Sequence, residues 1–125
     1  MAKADERSTF TELQAALQTF AEARDWEQFH TPKNLSMALA GECAEVVEHF
    51  QWLTPEASAA LSDDKRAAVA LELADVFIYT LRLADLLEVD LLTATQSKMR
   101  INEQRYPAER VRGDARRADE WQTDD

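Results

Sequence analysis

Two short acidic motifs constrain this chain more than any other feature. Gly41-Glu42-Cys43-Ala44-Glu45 and Glu72-Leu73-Ala74-Asp75 each hold two carboxylates three residues apart. On an α-helix, residues at i and i+3 share a face, with Cβ atoms roughly 5–6 Å apart. Glu42 falls on an apolar stripe with Leu35, Leu39 and Val46, and Glu72 on one with Val76, Tyr79, Leu83 and Leu86. Such stripes face a core. Acids on them repel one another and lose hydration, at a cost that something must offset. A hard divalent cation does so, and Mg²⁺ is commonly held by carboxylates together with substrate phosphates.

The helical expectation rests on more than these motifs. The chain has 125 residues, 46% of them apolar, with only two glycines and three prolines. That length suits one domain, and the abundance of Ala, Leu, Glu, Gln and Arg favours helix. No long alternation of apolar and polar residues points to a sheet. The expected class is all-α, with four main helices.

The first helix is expected from Thr9, where Thr9-Phe10-Thr11-Glu12 fits a capping box, to about Arg24, with Phe10, Leu13, Leu17 and Phe20 as its stripe. Thr31-Pro32 is a strong helix start, and the second helix should run to about Trp52. Thr54-Pro55 repeats the signal for a short helical turn to Leu61. Ser62 caps a third helix to about Glu88, and Asp90 a fourth to about Tyr106; Pro107 and Gly113 end it. Residues 1–106 form the expected domain. The polar tail, 107–125, is expected to be poorly ordered or pinned to a neighbouring subunit.

A short connector makes helices two and three antiparallel neighbours. Glu42 lies ten residues before Trp52, and Glu72 ten after Ser62. At about 1.5 Å per residue, both pairs stand roughly 15 Å from the connector, at matched heights. This register gathers four carboxylates, although any one E-x-x-E is weak evidence in a chain with 24 acids. Glu48 and His49 lie close by; a surface role for the first and a partly buried one for the second are the simpler readings. Cys43, the single cysteine, reads as an inert core residue and fits a reducing cytosol.

Trp26 and Phe29 stand in a polar connector that ends at His30. They read either as a loop pinned by its aromatics or as a wall for stacking a planar ring. Lys98, Asn102 and Arg105, at i, i+4 and i+7, share a face of the fourth helix and could cradle a polyphosphate; a solvated polar face is the alternative. The net charge of −10 argues against nucleic acid and anionic membranes as partners. Met1 to Arg7 is charged with no apolar run behind it, so neither a signal peptide nor a membrane span is expected, and the expected location is the cytoplasm.

These pieces together resemble the all-α nucleoside triphosphate pyrophosphohydrolases, the MazG-like group, and most closely its dCTP pyrophosphatases. The matching strings are Arg24-Asp25-Trp26-Glu27-Gln28-Phe29-His30, Asn34-Leu35, Gly41-Glu42 with Glu45, Phe50-Gln51-Trp52, Glu72-Leu73 with Asp75-Val76 and Tyr79, and Lys98-Met99 with Ile101-Asn102 and Arg105-Tyr106-Pro107. They run in order over about residues 10–107. The aromatic string and the Lys/Asn/Arg-Tyr-Pro string are the specific ones.

The resemblance implies a four-helix MazG-like bundle that assembles as a homo-oligomer, commonly a tetramer built as a dimer of dimers. It implies Glu42, Glu45, Glu72 and Asp75 as Mg²⁺ ligands and catalytic acids, with Mn²⁺ a possible substitute. Trp26 and Trp52 match aromatics around base and sugar, Tyr79 and Asn102 further nucleotide contacts, and Lys98 and Arg105 phosphate contacts. His30 either contacts nucleotide or shapes its loop. The implied substrate is a nucleoside triphosphate, dCTP or its modified form, cleaved to monophosphate and pyrophosphate in pool sanitation. The chain departs at Leu17, where related animal enzymes carry a histidine, and in the Trp52–Ser62 connector and the tail. Those departures bear on base selectivity more than on the reaction. Another nucleotide, such as dUTP or an oxidised purine, is the rival substrate. A non-enzymatic helical dimerisation module is the rival class. A di-iron bundle needs two Glu-x-x-His motifs, and two histidines in all, His30 and His49, do not furnish them.

Overall fold

The computed structural model describes residues 6–122, and among these every regular element is helical. They run α1 (Glu6–Ala23), α2 (Pro32–Glu48), α3 (Pro55–Ser58), α4 (Asp63–Leu86), α5 (Leu91–Arg105), α6 (Ala108–Val111) and α7 (Ala118–Trp121). Two compact units divide between Val89 and Asp90. No described helix is long and apolar enough to cross a membrane. Most of the charged leader, residues 1–5, lies outside the described residues.

In the first unit the caps act where the sequence places them. The Thr31 hydroxyl accepts from the Asn34 N–H at 3.2 Å, with Pro32 in the first turn of α2. Thr54 accepts from Ala57 N at 3.1 Å, and Ser62 from Lys65 N at 3.2 Å. Asp63 and Asp64 complete the first turn of α4, where the helix dipole favours negative charge. One cap expectation fails. α1 is already helical at Glu6, so Thr9 lies inside it. No Gly or Pro interrupts the chain upstream of Thr9, and the helix continues through it.

The helix stops were less legible. α2 ends at Glu48 rather than Trp52, and Phe50–Leu53 closes as hydrogen-bonded turns, with Gln51 N to Val47 O at 2.8 Å. α1 and α4 end in Schellman motifs without glycine. Asp25 has φ 53° and Glu88 φ 55°. Trp26 N reaches Ala21 O at 3.0 Å, and Val89 N reaches Ala84 O at 2.9 Å. The first of these reverses the chain so that Trp26 folds back on α1. Its ring meets Phe20 edge-on, with centroids 5.7 Å apart.

α4 is the element on which this unit is built. Both α2 and α1 pack on it. Leu35, Val69, Leu81 and Ala84 are buried with Ala21 of α1, and Phe10 meets Phe77 edge-on at 6.3 Å. Cys43 departs from its expected place: it is exposed on α2, because its apolar sequence neighbours lie on other faces of that helix.

In the second unit Asp90 caps α5 twice, accepting from Thr93 N at 3.1 Å and Thr93 Oγ1 at 2.9 Å. The segment after Pro107 is not irregular as far as Gln122. Gly113, at φ 80°, turns the chain between α6 and α7. The Tyr106 hydroxyl accepts from Ala118 N at 3.1 Å, Trp121 is buried, and the Arg110 guanidinium lies 4.8 Å from the Trp121 ring centroid. One aromatic with a cation over its face gives this short segment its own small core.

Candidate functional site

Packing of α2 on α4 brings the two acidic motifs together. Glu42, Glu45, Glu72 and Asp75 each offer a carboxylate oxygen, and these oxygens all lie within 4.8 Å of one another. The matched heights read from the connector are thus realised. Glu42, Glu72 and Asp75 are half-buried and Glu45 is exposed, so the acids line a cleft rather than a dry core.

The electrostatics are strained. Burial pushes the Glu42 carboxyl above its ordinary range; hydrogen bonding to Glu45 and the charges of Glu45, Asp75 and Glu72 push the same way. Glu72 is raised first by hydrogen bonding to Glu45, then by burial and the Glu45 charge. His49 pulls Glu72 partly back, its Nε2 lying 3.6 Å from Glu72 Oε1. Glu42 Oε2 is buried without a hydrogen-bond partner among the described residues. A buried carboxylate oxygen without a donor, among three other carboxylates, is the environment a hard cation relieves. The donor set is all oxygen and fits Mg²⁺ or a similar hard ion. Glu48 is exposed and outside the cluster.

Beside the acids lies a cavity of about 360 Å³ lined by Leu17, Phe20, Trp26, His30, Asp75, Ile78, Tyr79 and Arg82. Three elements build it: α1 supplies Leu17 and Phe20, the following turn Trp26 and His30, and α4 the rest. Of the two connector aromatics, Trp26 packs on Phe20 and also walls the cavity, whereas Phe29 is exposed and does not line it. Leu17, where a departure from the animal enzymes is expected, lines the same space.

Among the sequence-predicted residues, the structure brings together the four acids, Trp26, His30 and Tyr79. Trp52 stands apart on the turn after α2, 88% exposed. Lys98, Asn102 and Arg105 are exposed on one face of α5, in the second unit. Sequence reasoning missed Arg82, which is 4% exposed. Its Nε–H donates to His30 Nδ1 at 3.2 Å, its Nη1 donates to Gln18 Oε1, and Asp85 Oδ2 lies 4.0 Å from Nη1. A signal existed: Arg82 is seven residues after Asp75 and three after Tyr79, on their side of α4.

The profile of the MazG-like family matches residues 38–120. The chain is 49% identical over 100 residues to human dCTP pyrophosphatase 1, covering 78% of this chain and 59% of that protein. It is 50% identical over 98 residues to the mouse dCTP pyrophosphatase 1, covering 77% and 58%. It therefore spans about three-fifths of the length of these curated relatives. The crystal structure of a pyrophosphatase from Archaeoglobus fulgidus superposes with a TM-score of 0.76 at 34% identity, over 86% of this chain and 98% of that one. The all-helical architecture, the acid cluster and these matches agree, and the chain belongs to the MazG-like family.

Proposed function

We propose that the chain is a nucleoside triphosphate pyrophosphohydrolase, dependent on Mg²⁺ or Mn²⁺, that converts dCTP and base-modified dCTP to dCMP and pyrophosphate. Removing such nucleotides from the precursor pool is its proposed role, in the cytoplasm. One observation carries the reading: Asp75 belongs both to the acid cluster and to the wall of the aromatic cavity. A ligand that fits must join a planar ring to an oxygen-rich anionic chain, and a nucleoside triphosphate does. The names of the human and mouse relatives support cytosine as the base.

Glu42, Glu45, Glu72 and Asp75 would hold the ion. When bound, it supplies charge neutralisation for phosphate oxygens and acidifies water toward neutral pH. The residues do the rest by positioning, which is most of what phosphoryl-type transfer requires. Trp26, Phe20 and Tyr79 hold the base and sugar by stacking and exclude water. A water oxygen then bonds to the α-phosphorus as the bond to the bridging oxygen breaks, and pyrophosphate leaves. Glu45, the exposed member of the cluster, is the proposed acceptor of the water's proton. Lys98 and Arg105 are proposed phosphate contacts, and Asn102 and Trp52 further nucleotide contacts, on the family pattern alone. We further propose that the long helices form the family's four-helix bundle and that copies assemble as a homotetramer, a dimer of dimers. The exposed Met37, Val47, Leu71 and Leu73 support association.

The test is to incubate purified protein and Mg²⁺ with dCTP, 5-methyl-dCTP, dUTP, dTTP, dATP, dGTP and CTP and separate the products. dCMP and pyrophosphate, lost on adding EDTA, are expected. The same products from another nucleotide alone would keep the reaction and remove the cytosine assignment. No turnover by folded protein would favour the helical dimerisation module.

A further inference from the structure

Arg82 is the one buried charged residue among those described, and nothing in the proposed reaction uses its charge. Its hydrogen bonds say what it does instead. A guanidinium N–H only donates, so the ring nitrogen that faces Arg82 Nε must be an unprotonated acceptor. That nitrogen is His30 Nδ1, 3.2 Å away. A neutral imidazole with a bare Nδ1 carries its hydrogen on Nε2. The same logic fixes Gln18. Its Oε1 faces Arg82, which leaves its amide N–H groups for Glu22 Oε1 at 2.7 Å and Glu27 Oε2 at 3.3 Å. α1, the aromatic turn and α4 are thereby tied through one side chain, at the wall of the cavity.

We infer that Arg82 is a positioning residue that locks His30 in its Nε2–H form, so that the cavity meets the nucleobase with a neutral hydrogen-bond donor. Among the described residues the ring has no other hydrogen-bond partner, and His30 lines the cavity. Such a donor suits an acceptor on a pyrimidine edge: O2, or the bare ring nitrogen of cytosine. A charged imidazolium would instead place a second cation beside Arg82. Burial and the Arg82 charge both oppose that, and hold the His30 ring below its ordinary pKa. The choice of base acceptor as target rests on the nucleotide reading; the lock does not.

Two measurements on the full-length protein keep these apart. Long-range ¹H–¹⁵N NMR at pH 7 reports which ring nitrogen of His30 carries hydrogen, with His30→Gln used for assignment. Wild type should show Nε2–H and a bare Nδ1. In Arg82→Met, which has no N–H to donate, the ring should become a mixture of tautomers, and KM for dCTP should rise roughly tenfold, the worth of one well-placed hydrogen bond, with kcat little changed. A wild-type ring found as Nδ1–H, or charged at pH 7, would overturn the lock even if no variant folds. So would an unchanged tautomer in folded Arg82→Met. A locked tautomer with no change in KM would overturn the base-facing role. If the lock is seen but no pyrimidine nucleotide is turned over, the base-facing role falls with the proposed function, and the lock stands.

Discussion

The acid cluster and the Arg82 network stand side by side on α4 and are built on opposite terms. In the first, four carboxylates crowd within 4.8 Å and one buried oxygen of Glu42 has no partner. In the second, a buried cation meets an acceptor on each of two neighbouring elements. The first concentrates negative charge that a bound cation would offset; the second is satisfied within the chain. This contrast separates residues proposed to hold an ion from residues that shape the cavity beside them. It also says where stability and activity should part company.

The largest expected effect is on turnover. Glu42→Gln or Asp75→Asn should lower kcat by about a thousandfold or more, since both charge stabilisation and ion binding suffer. Circular dichroism should show the fold intact. In EDTA, Glu42→Gln should melt a few degrees higher than wild type, because it removes one repelling charge. A lower melting point would mean that the cluster is not under strain.

Breaking the other region should do the reverse. Arg82→Met leaves the acceptors of His30 and Gln18 unsatisfied, a cost of about 2–4 kcal/mol measurable by urea unfolding. If stability is unchanged, the network is ornamental.

The two regions should also respond oppositely to pH. Glu42 and Glu72 have raised values when folded, so their contribution is full below their ordinary 4.5 and lost as pH rises through the raised values. His30 has a lowered value, so its contribution is full above its ordinary 6.5 and lost as pH falls through the lowered one. Melting curves from pH 4.5 to 7.5 should show both. Saturating Mg²⁺ should lift the neutral side and leave the His30 arm, and His30→Gln should flatten that arm alone. At a hundredfold over its Kd, bound Mg²⁺ should add about 2.7 kcal/mol.

The smallest effect tests a residue outside both regions. Trp52 is so exposed that Trp52→Ala should change stability by less than about 0.5 kcal/mol. A rise in KM without loss of stability would support its proposed contact with nucleotide; no change in either would remove it.

Legibility in the sequence follows the same divide. The acid cluster could be read because helix periodicity and one connector fix its height, and Thr31, Thr54, Ser62 and Asp90 cap where short polar side chains must. Of the Arg82 network, the sequence showed only that Arg82 shares a side of α4 with Asp75 and Tyr79. Its partners lie 52 and 64 residues away, and a lone arginine on a mixed helix face reads as solvated. The stops at Asp25 and Glu88 were hidden because residues other than glycine adopt the left-handed turn. Cys43 was misplaced because apolar neighbours in sequence are not neighbours on a helix face. Order of the tail on its own chain was not legible because it depends on Trp121 and the Tyr106 hydroxyl, 15 residues apart.

The most direct test of the central claim is hydrolysis of dCTP in H₂¹⁸O with mass analysis of both products. Attack of water at the α-phosphorus in an acid-held, metal-dependent site predicts one ¹⁸O in dCMP, none in pyrophosphate, and no reaction in EDTA. Label in pyrophosphate, or turnover that survives EDTA, would contradict it.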